Sequence, residues 1–391
     1  MRASRGLAIV SWLAVITAFA PWAASAAAGP ATSRDTGPAS ACGSKWVTIA
    51  SPNGGGALSD LLAVAGTSPS NIWAVGDHGP SNATKSLIEH YNGTKWTVSS
   101  IPSVGTELDA VVAISSKNAW AVGTTVTKAS DLHTGEGLIE HWDGHAWKVV
   151  KAPSALEGAG SSTAFTGIAA VSAKDIWVVG TNQFNPLALH YDGTAWKTFP
   201  VDTSGFLGVG HFAAVDAVAS DDVWAVGSVF HGDTARLIEH WDGHAWSQVA
   251  AAQPVSQGML VAVDAASSGD VYAVGESINE FLPTAEVQHY NGHAWSAVSA
   301  PSPAISSLTA LAVKSSSSIW AAGFFPKPND KDSALVMQSS GHAFARVAVP
   351  TPGEASGLAL IDGKQLWLVG STVTGTPQHA GSKTFVARRC V

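Results

Sequence analysis

Basic residues are scarce. Lysine and arginine total 21 in 391 residues against 29 aspartates and glutamates, and charged residues of both signs make up 13%. Phosphate recognition needs clustered cations, so nucleic acid is excluded as a partner, and a polybasic membrane anchor with it. Cysteine occurs twice, tyrosine four times and methionine three times. No segment sustains a helical period. Beyond the first 28 residues no apolar run reaches the ~20 residues of a membrane span. Glycine at 39 and tryptophan at 16 stand out instead, and the apolar share of 46% excludes a disordered chain and allows a large core.

Residues 1–28 have the three parts of a signal peptide. Arg2 and Arg5 give a positive start, Leu7 to Ala20 an apolar stretch, and Ala24-Ser25-Ala26 or Ala26-Ala27-Ala28 a small-residue cleavage site. The alternative, a membrane anchor, is opposed by Ser11, Thr17 and Pro21, which interrupt and then break the run. The expectation is a secreted, extracellular protein. Residues 29–41, rich in Gly, Pro, Ser, Thr and Ala, are expected to form a flexible leader.

The remainder repeats itself. A strand built on Trp-Ala-Val-Gly begins at Trp73, Trp120, Trp177, Trp224, Tyr272, Trp320 and Trp367. A second unit, Leu-Ile-Glu-His-Tyr-Asn-Gly-x-x-Trp, places histidines at 90, 141, 190, 240 and 289, each followed six residues later by tryptophan. A sixth copy is degraded to Gln338 and Phe344. Each repeat contains four short strands, and its Asn-Gly or Asp-Gly pair marks a hairpin. Seven four-stranded antiparallel units of ~45–50 residues are the signature of a seven-bladed β-propeller, here spanning residues 42–391.

The ends of this region define how the ring closes. Cys42-Gly43-Ser44-Lys45-Trp46 aligns with Asn92-Gly93-Thr94-Lys95-Trp96, an outer strand, while Phe385 to Cys390 aligns with Leu87 to Asn92, a third strand. The N-terminal strand should therefore complete the last blade, and Cys42 and Cys390 fall at one hairpin position. A disulfide between them is expected in an exported chain; the rival is two free thiols.

The repeats consume most residues that might otherwise do chemistry. All 14 tryptophans beyond Trp12 and Trp22 occupy repeat positions, which suits packing between blades better than sugar stacking. His90, His141, His190, His240 and His289 occur once per blade, cannot converge on one ion, and read as histidines satisfied within their own blades. Glu89, Glu140 and Glu239 repeat likewise and read as strand-surface or blade-internal groups.

An apolar strand ending in Gly, a strand ending in Tyr/Trp-Asp/Asn and a nearby Trp resemble kelch-type propellers over residues 42–391. The single glycine at Gly76, Gly123, Gly180 and Gly227, where kelch repeats have two, and a shorter hairpin depart from that pattern. Turns such as Asp192-Gly193-Thr194-Ala195-Trp196 also resemble a shortened Asp-box of sialidase-type propellers. Both resemblances imply a fold and leave function open. Copper-radical oxidase chemistry would need tyrosines and a cysteine that the repeats and the closure already use. Sialidase chemistry would need an arginine cluster, and Arg34, Arg236, Arg346, Arg388 and Arg389 form none in the loops. The loops are too acid-poor for a phytase-like calcium array. There is no Gly-x-Ser-x-Gly elbow and no phosphate loop.

Binding is expected on the face carrying the second-to-third loops and the fourth-to-first connections, whose lengths vary. The polar set to test is His133, Glu136, His231 and Asp233. Phe184, Phe230, Phe281 and Phe324, with Phe325, offer ring faces to a sugar or a protein. Asp77, His78, Asn182, Asn185, Glu276 and Asp332 belong to a wider polar group on these loops. The reading is a monomeric, non-catalytic recognition module for an extracellular glycan or protein. One rival is a hydrolase or lyase of extracellular polymer; another is a structural or assembly protein without a discrete pocket. No cofactor is expected, and calcium is the one ion kept in view.

Overall fold

The computed structural model describes residues 42–80, 83–102, 107–126, 135–156, 162–201, 209–230, 232–252, 257–279, 282–327, 331–340, 343–350, 353–376 and 379–391. The expectations for a signal peptide and leader in residues 1–41 lie outside these residues. Among the described residues no helix is long and apolar enough to cross a membrane.

The chain forms seven four-stranded antiparallel sheets. Their inner strands are Leu58–Ser68, Glu107–Ser115, Thr163–Ser172, Val209–Ala219, Gln257–Ser267, Ser307–Ser315 and Glu354–Ile361, numbered here as blades 1 to 7. These strands contact one another in cyclic order and surround the axis. Blade 7 takes its outer strand, Val47–Ile49, from the other end of the region, paired antiparallel with His379–Cys390. The Cys42–Cys390 disulfide joins them across a sequence separation of 348, with Cα atoms 5.5 Å apart. Beside it the Cys390 amide donates to the Gly43 carbonyl at 2.8 Å.

In five other blades that place is a covalent turn. Its Asn or Asp side chain, at positions 92, 143, 192, 242 and 291, accepts amides two and three residues on, and the following glycine has φ between 88° and 93°. Glycine meets no steric penalty at such positive φ. The disulfide replaces this local turn with a long-range link.

Aromatic rings hold neighbouring blades together. The second-strand Trp of one blade meets the outer-strand Trp of the next nearly edge-on. In six such junctions the ring centroids are 5.1–6.4 Å apart and the planes cross at 75–90°. Edge-to-face contact is the favourable arrangement for such rings, worth about 0.5–1.5 kcal/mol beyond area burial. At the junction of blades 5 and 6, Tyr272 and Phe344 share one core cluster instead.

The repeated glycine of each second strand has a steric cause. A Cβ on Gly76, Gly123, Gly180, Gly227, Gly275, Gly323 or Gly370 would lie 2.0–2.1 Å from a carbonyl oxygen of the inner strand. Each glycine sits opposite a register shift in that inner strand, between Leu61 and Ala63 in blade 1 and at the matching place in the others. A β-bulge of this kind adds one unpaired residue and re-aims its neighbours.

Candidate functional site at the loop end of the channel

Positions that recur in every blade serve the scaffold. His190, His240 and His289 donate from Nε2 to Asp175, Asp222 and Asp270 at 2.7–2.8 Å, and His90 and His141 lie 3.0 Å from the Oδ1 of Asn71 and Asn118. Each also stacks on the second-strand aromatic ring of its own blade, with centroids 4.1–4.6 Å apart. Burial lowers the pKa of His90 and His141 and keeps them neutral. Of the two readings for the repeated glutamates the structure selects the blade-internal one: Glu89, Glu140 and Glu239 are fully buried. Glu89 accepts the Ser51 hydroxyl at 2.7 Å, in the segment that links blade 7 to blade 1. Gln288, the blade 5 counterpart, pins both the amide and the carbonyl of Ala252 in the preceding link. These side chains fasten one blade to the connection from its neighbour.

One inner-strand position does not recur. Immediately before the bulge the seven blades carry Asp60, Glu107, Ala164, His211, Met259, Ser307 and Glu354. These residues stand toward the ends of the second-to-third loops, on the variable-loop side. Asp60 pairs with Asp77, Met259 with Glu276, and Asp109 is the extra residue of the blade 2 bulge. Carboxylates therefore gather across blades 7, 1 and 2.

Their ionisation is strained by the enclosure and by one another. Burial, with the Glu107 and Asp60 charges, pushes Asp77 up to about 8. Burial and Asp77 raise Asp109 to about 7. Glu107 is raised well above the usual carboxylate range by burial and by Asp109 and Asp60. Burial raises Glu354 to about 8, and its hydrogen bond to Asp332 adds to the shift. Two carboxyl groups in contact favour retention of a proton. Burial raises Asp60 as well, against hydrogen bonds from Ser371 and Ser382 that lower it. Among the described residues none of these acids forms an ion pair. Lys85 and Lys383, the cations nearest in the strand order, stand on exposed positions of third strands. No three His, Cys, Asp or Glu side chains among the described residues are grouped so as to hold a metal ion.

The expected site residues are dispersed. His133, His231 and Phe281 lie outside the described residues. Glu136 is exposed on the third strand of blade 2, and Asp233 is exposed in blade 4, where it accepts from Gln257 at 2.7 Å. Phe184 is 38% exposed in the blade 3 hairpin, with φ at 66°, and Phe230 is 37% exposed at the loop end of blade 4. Phe324 is a strand residue rather than a loop residue: it pairs with Ser307 and is half-buried. Of the wider polar group, Asp77 and Asp332 do join the acidic cluster. Asp60, Glu107, Asp109 and Glu354 were not among the expected site residues. For Asp60, Glu107 and Glu354 the signal is the failure of that one position to repeat; Asp109 stands two residues on, at the bulge.

A cleft of about 480 Å³ lies between blades 2 and 3. It is walled by Trp120, His141, Tyr191 and Trp196, with Lys151 and Pro153 at its edge. Its aromatic walls are repeat residues already engaged in stacking, so the channel mouth is the more individual site.

Solved propellers have the same fold. YCF48 bound to a D1 peptide matches with a TM-score of 0.56 and 14% identity over 91% of this chain and 99% of that one. YCF48 from Cyanidioschyzon merolae matches at 0.55 and 12%, over 88% and 98%. The GH74 xyloglucanase from Xanthomonas campestris matches at 0.55 and 14%, over 87% of this chain and 55% of that one. At these identities the likeness establishes the seven-bladed fold alone. No protein-family profile matches the sequence, and no curated protein matches it significantly.

Proposed function

We propose that this protein is an exported, monomeric, non-catalytic recognition module that binds an extracellular protein or glycan through its variable-loop face. The observation that carries this reading is the contrast between positions. The repeated Trp, His, Tyr and Cys residues are engaged in stacking, hydrogen bonds and closure, and the repeated Glu residues are buried within the blades. The non-repeating carboxylates at the loop end of the channel belong to no comparable scaffold set. Ligands favour such places, where a rigid framework presents individual side chains. A propeller of the same fold, YCF48, binds a D1 peptide, which supports this reading.

The test is a binding screen of the exported protein against cell-wall polymers, a glycan panel and proteins from the culture medium, with and without calcium. A saturable partner lost on substitution of loop-face residues, and retained on substitution of turn-face residues, supports the reading. Binding that follows the turn face instead defeats it. Alanine at His133, His231 and Asp233 tests the expected polar set separately.

A second reading has a specific observation in its favour. Carboxyl groups such as Asp77 and Glu354, held near 8, are suited to donate protons at neutral pH. A hydrolase or lyase of extracellular polymer would use them so. Release of new reducing ends or unsaturated products from a polymer, abolished in Asp77→Asn, would establish that reading over the first.

A further inference from the structure

The loop face has two unlike halves. Four of the large apolar side chains exposed among the described residues lie on it, in consecutive blades: Phe184, Phe230, Leu282 and Ile305. They form two neighbouring pairs. The Phe184 carbonyl accepts the Gly210 amide at 2.8 Å, and Phe230 pairs with Val209, so both phenylalanines flank the start of the blade 4 inner strand. The Pro283 carbonyl accepts the Ser306 amide at 3.1 Å, which sets Leu282 beside Ile305 across blades 5 and 6. The carboxyl groups of the channel mouth stand mainly over blades 7, 1 and 2, with Asp332 of blade 6 beside Glu354 and Glu276 in blade 5.

A lone exposed Leu or Phe needs no explanation, but a cluster confined to one side of one face marks an interaction surface. The carboxyl groups beside it ionise when a cation approaches, which selects the sign of the partner. We infer that this face docks a polypeptide segment that sets lysine or arginine side chains over Asp60, Glu107 and Asp109 and apolar side chains over Phe184, Phe230 and Leu282. The inference rests on the recognition reading and narrows its partner to a basic, apolar-anchored peptide. A glycan could stack on the phenylalanines but would bring no cation to the clustered carboxyl groups.

The experiment uses the exported protein and three synthetic 16-residue peptides, with binding read by fluorescence anisotropy. One peptide joins a Lys-rich half to a Leu/Phe-rich half. The second replaces Lys with Glu, and the third replaces Leu and Phe with Ser. Xyloglucan oligosaccharides form a fourth probe. The expected result is saturable binding of the first peptide alone, weakened at least tenfold between 50 and 500 mM salt. D60N/E107Q/D109N should weaken it tenfold or more and flatten the salt dependence. F184S/F230S should weaken it severalfold with the salt dependence retained. V171S, on the turn face, should leave it unchanged.

Thermal unfolding of each variant separates lost binding from lost fold, and the single substitution E107Q serves if the triple variant does not fold. Equal binding of the Lys and Glu peptides overturns the inference. So does indifference to both sets of loop-face substitutions, or failure of all three peptides to bind. Capture of only the oligosaccharide by the loop face overturns it too, and leaves the recognition reading standing.

Discussion

Two residues show how a single side chain is placed against its own chemistry. Glu140 is fully buried with neither carboxylate oxygen hydrogen-bonded among the described residues, and burial raises it from 4.5 to about 7. Below 4.5 both folded and unfolded chains hold the proton. Between 4.5 and 7 the folded chain binds it more, so stability falls as pH rises through that window and levels above it. Glu140→Gln removes the titration while keeping the shape, and Gln288 shows that an amide suits the equivalent position. The variant should melt higher than the parent at pH 8, by on the order of 3 kcal/mol at most, with little difference at pH 4. Equal melting shifts at both pH values would contradict this account.

Asp109 makes a parallel case. At the same bulge position Thr166 and Thr309 donate to the Phe212 and Ala355 carbonyls of the next blade, both at 2.7 Å. A carboxylate cannot donate there; a carboxylic acid can. Asp109→Thr should stabilise the protein at pH 8 by about 1 kcal/mol, measured by thermal unfolding, and the gain should shrink at pH 5.

At the scale of the strand, the bulge and its glycine act as one device. The added residue shortens the approach between first and second strands until only hydrogen fits on the partner Cα. Gly227→Ala should therefore cost roughly 1–3 kcal/mol, because the His211 carbonyl that its Cβ would meet is backbone and cannot turn aside. Gly43→Ala, with nothing within 4 Å, is the control and should change melting little. The strand scale also explains what the sequence could and could not reveal. Trp-Ala-Val-Gly and the His-Tyr-Asn-Gly-x-x-Trp unit recur because each blade needs the same ring, the same imidazole and the same turn. Repetition made seven blades and their closure readable. The inner strand around Leu108 is one of the four that each repeat contains. Its flanking Glu107 and Asp109 passed unnoticed because they break the pattern instead of making it. Asp60 and Glu354 lie at opposite ends of the propeller sequence and become neighbours only when the ring closes.

Across the whole molecule, closure and charge are coupled through blade 7. Its inner strand supplies Glu354 to the acidic mouth, while its outer edge is held by the short strand at Val47–Ile49 and the disulfide. Loop-closure entropy for a link of this span is about 5–6 kcal/mol, an upper figure that native strain or residual structure reduces. C42S/C390S should lower the melting temperature, and the loss should be matched by reducing the parent protein. An unchanged melting curve under reduction would show that three residues of strand pairing hold the ring unaided. The acids add a separate dependence. With Asp77, Asp109 and Glu354 all raised, the intact protein should lose stability between pH 5 and pH 8, the reverse of a protein held by ion-paired carboxylates.

The borrowed outer strand also fixes an order of events during synthesis. Val47–Ile49 is made before any blade, yet its partner, His379–Cys390, is made after the inner strands of all seven. At roughly 5–20 residues per second, a sequence separation of 348 between the two cysteines takes on the order of 20–70 s to synthesise. Blades 1 to 6 can assemble from contiguous chain during that interval. The seventh cannot, so the earliest-made strand of the propeller is the last to find its place.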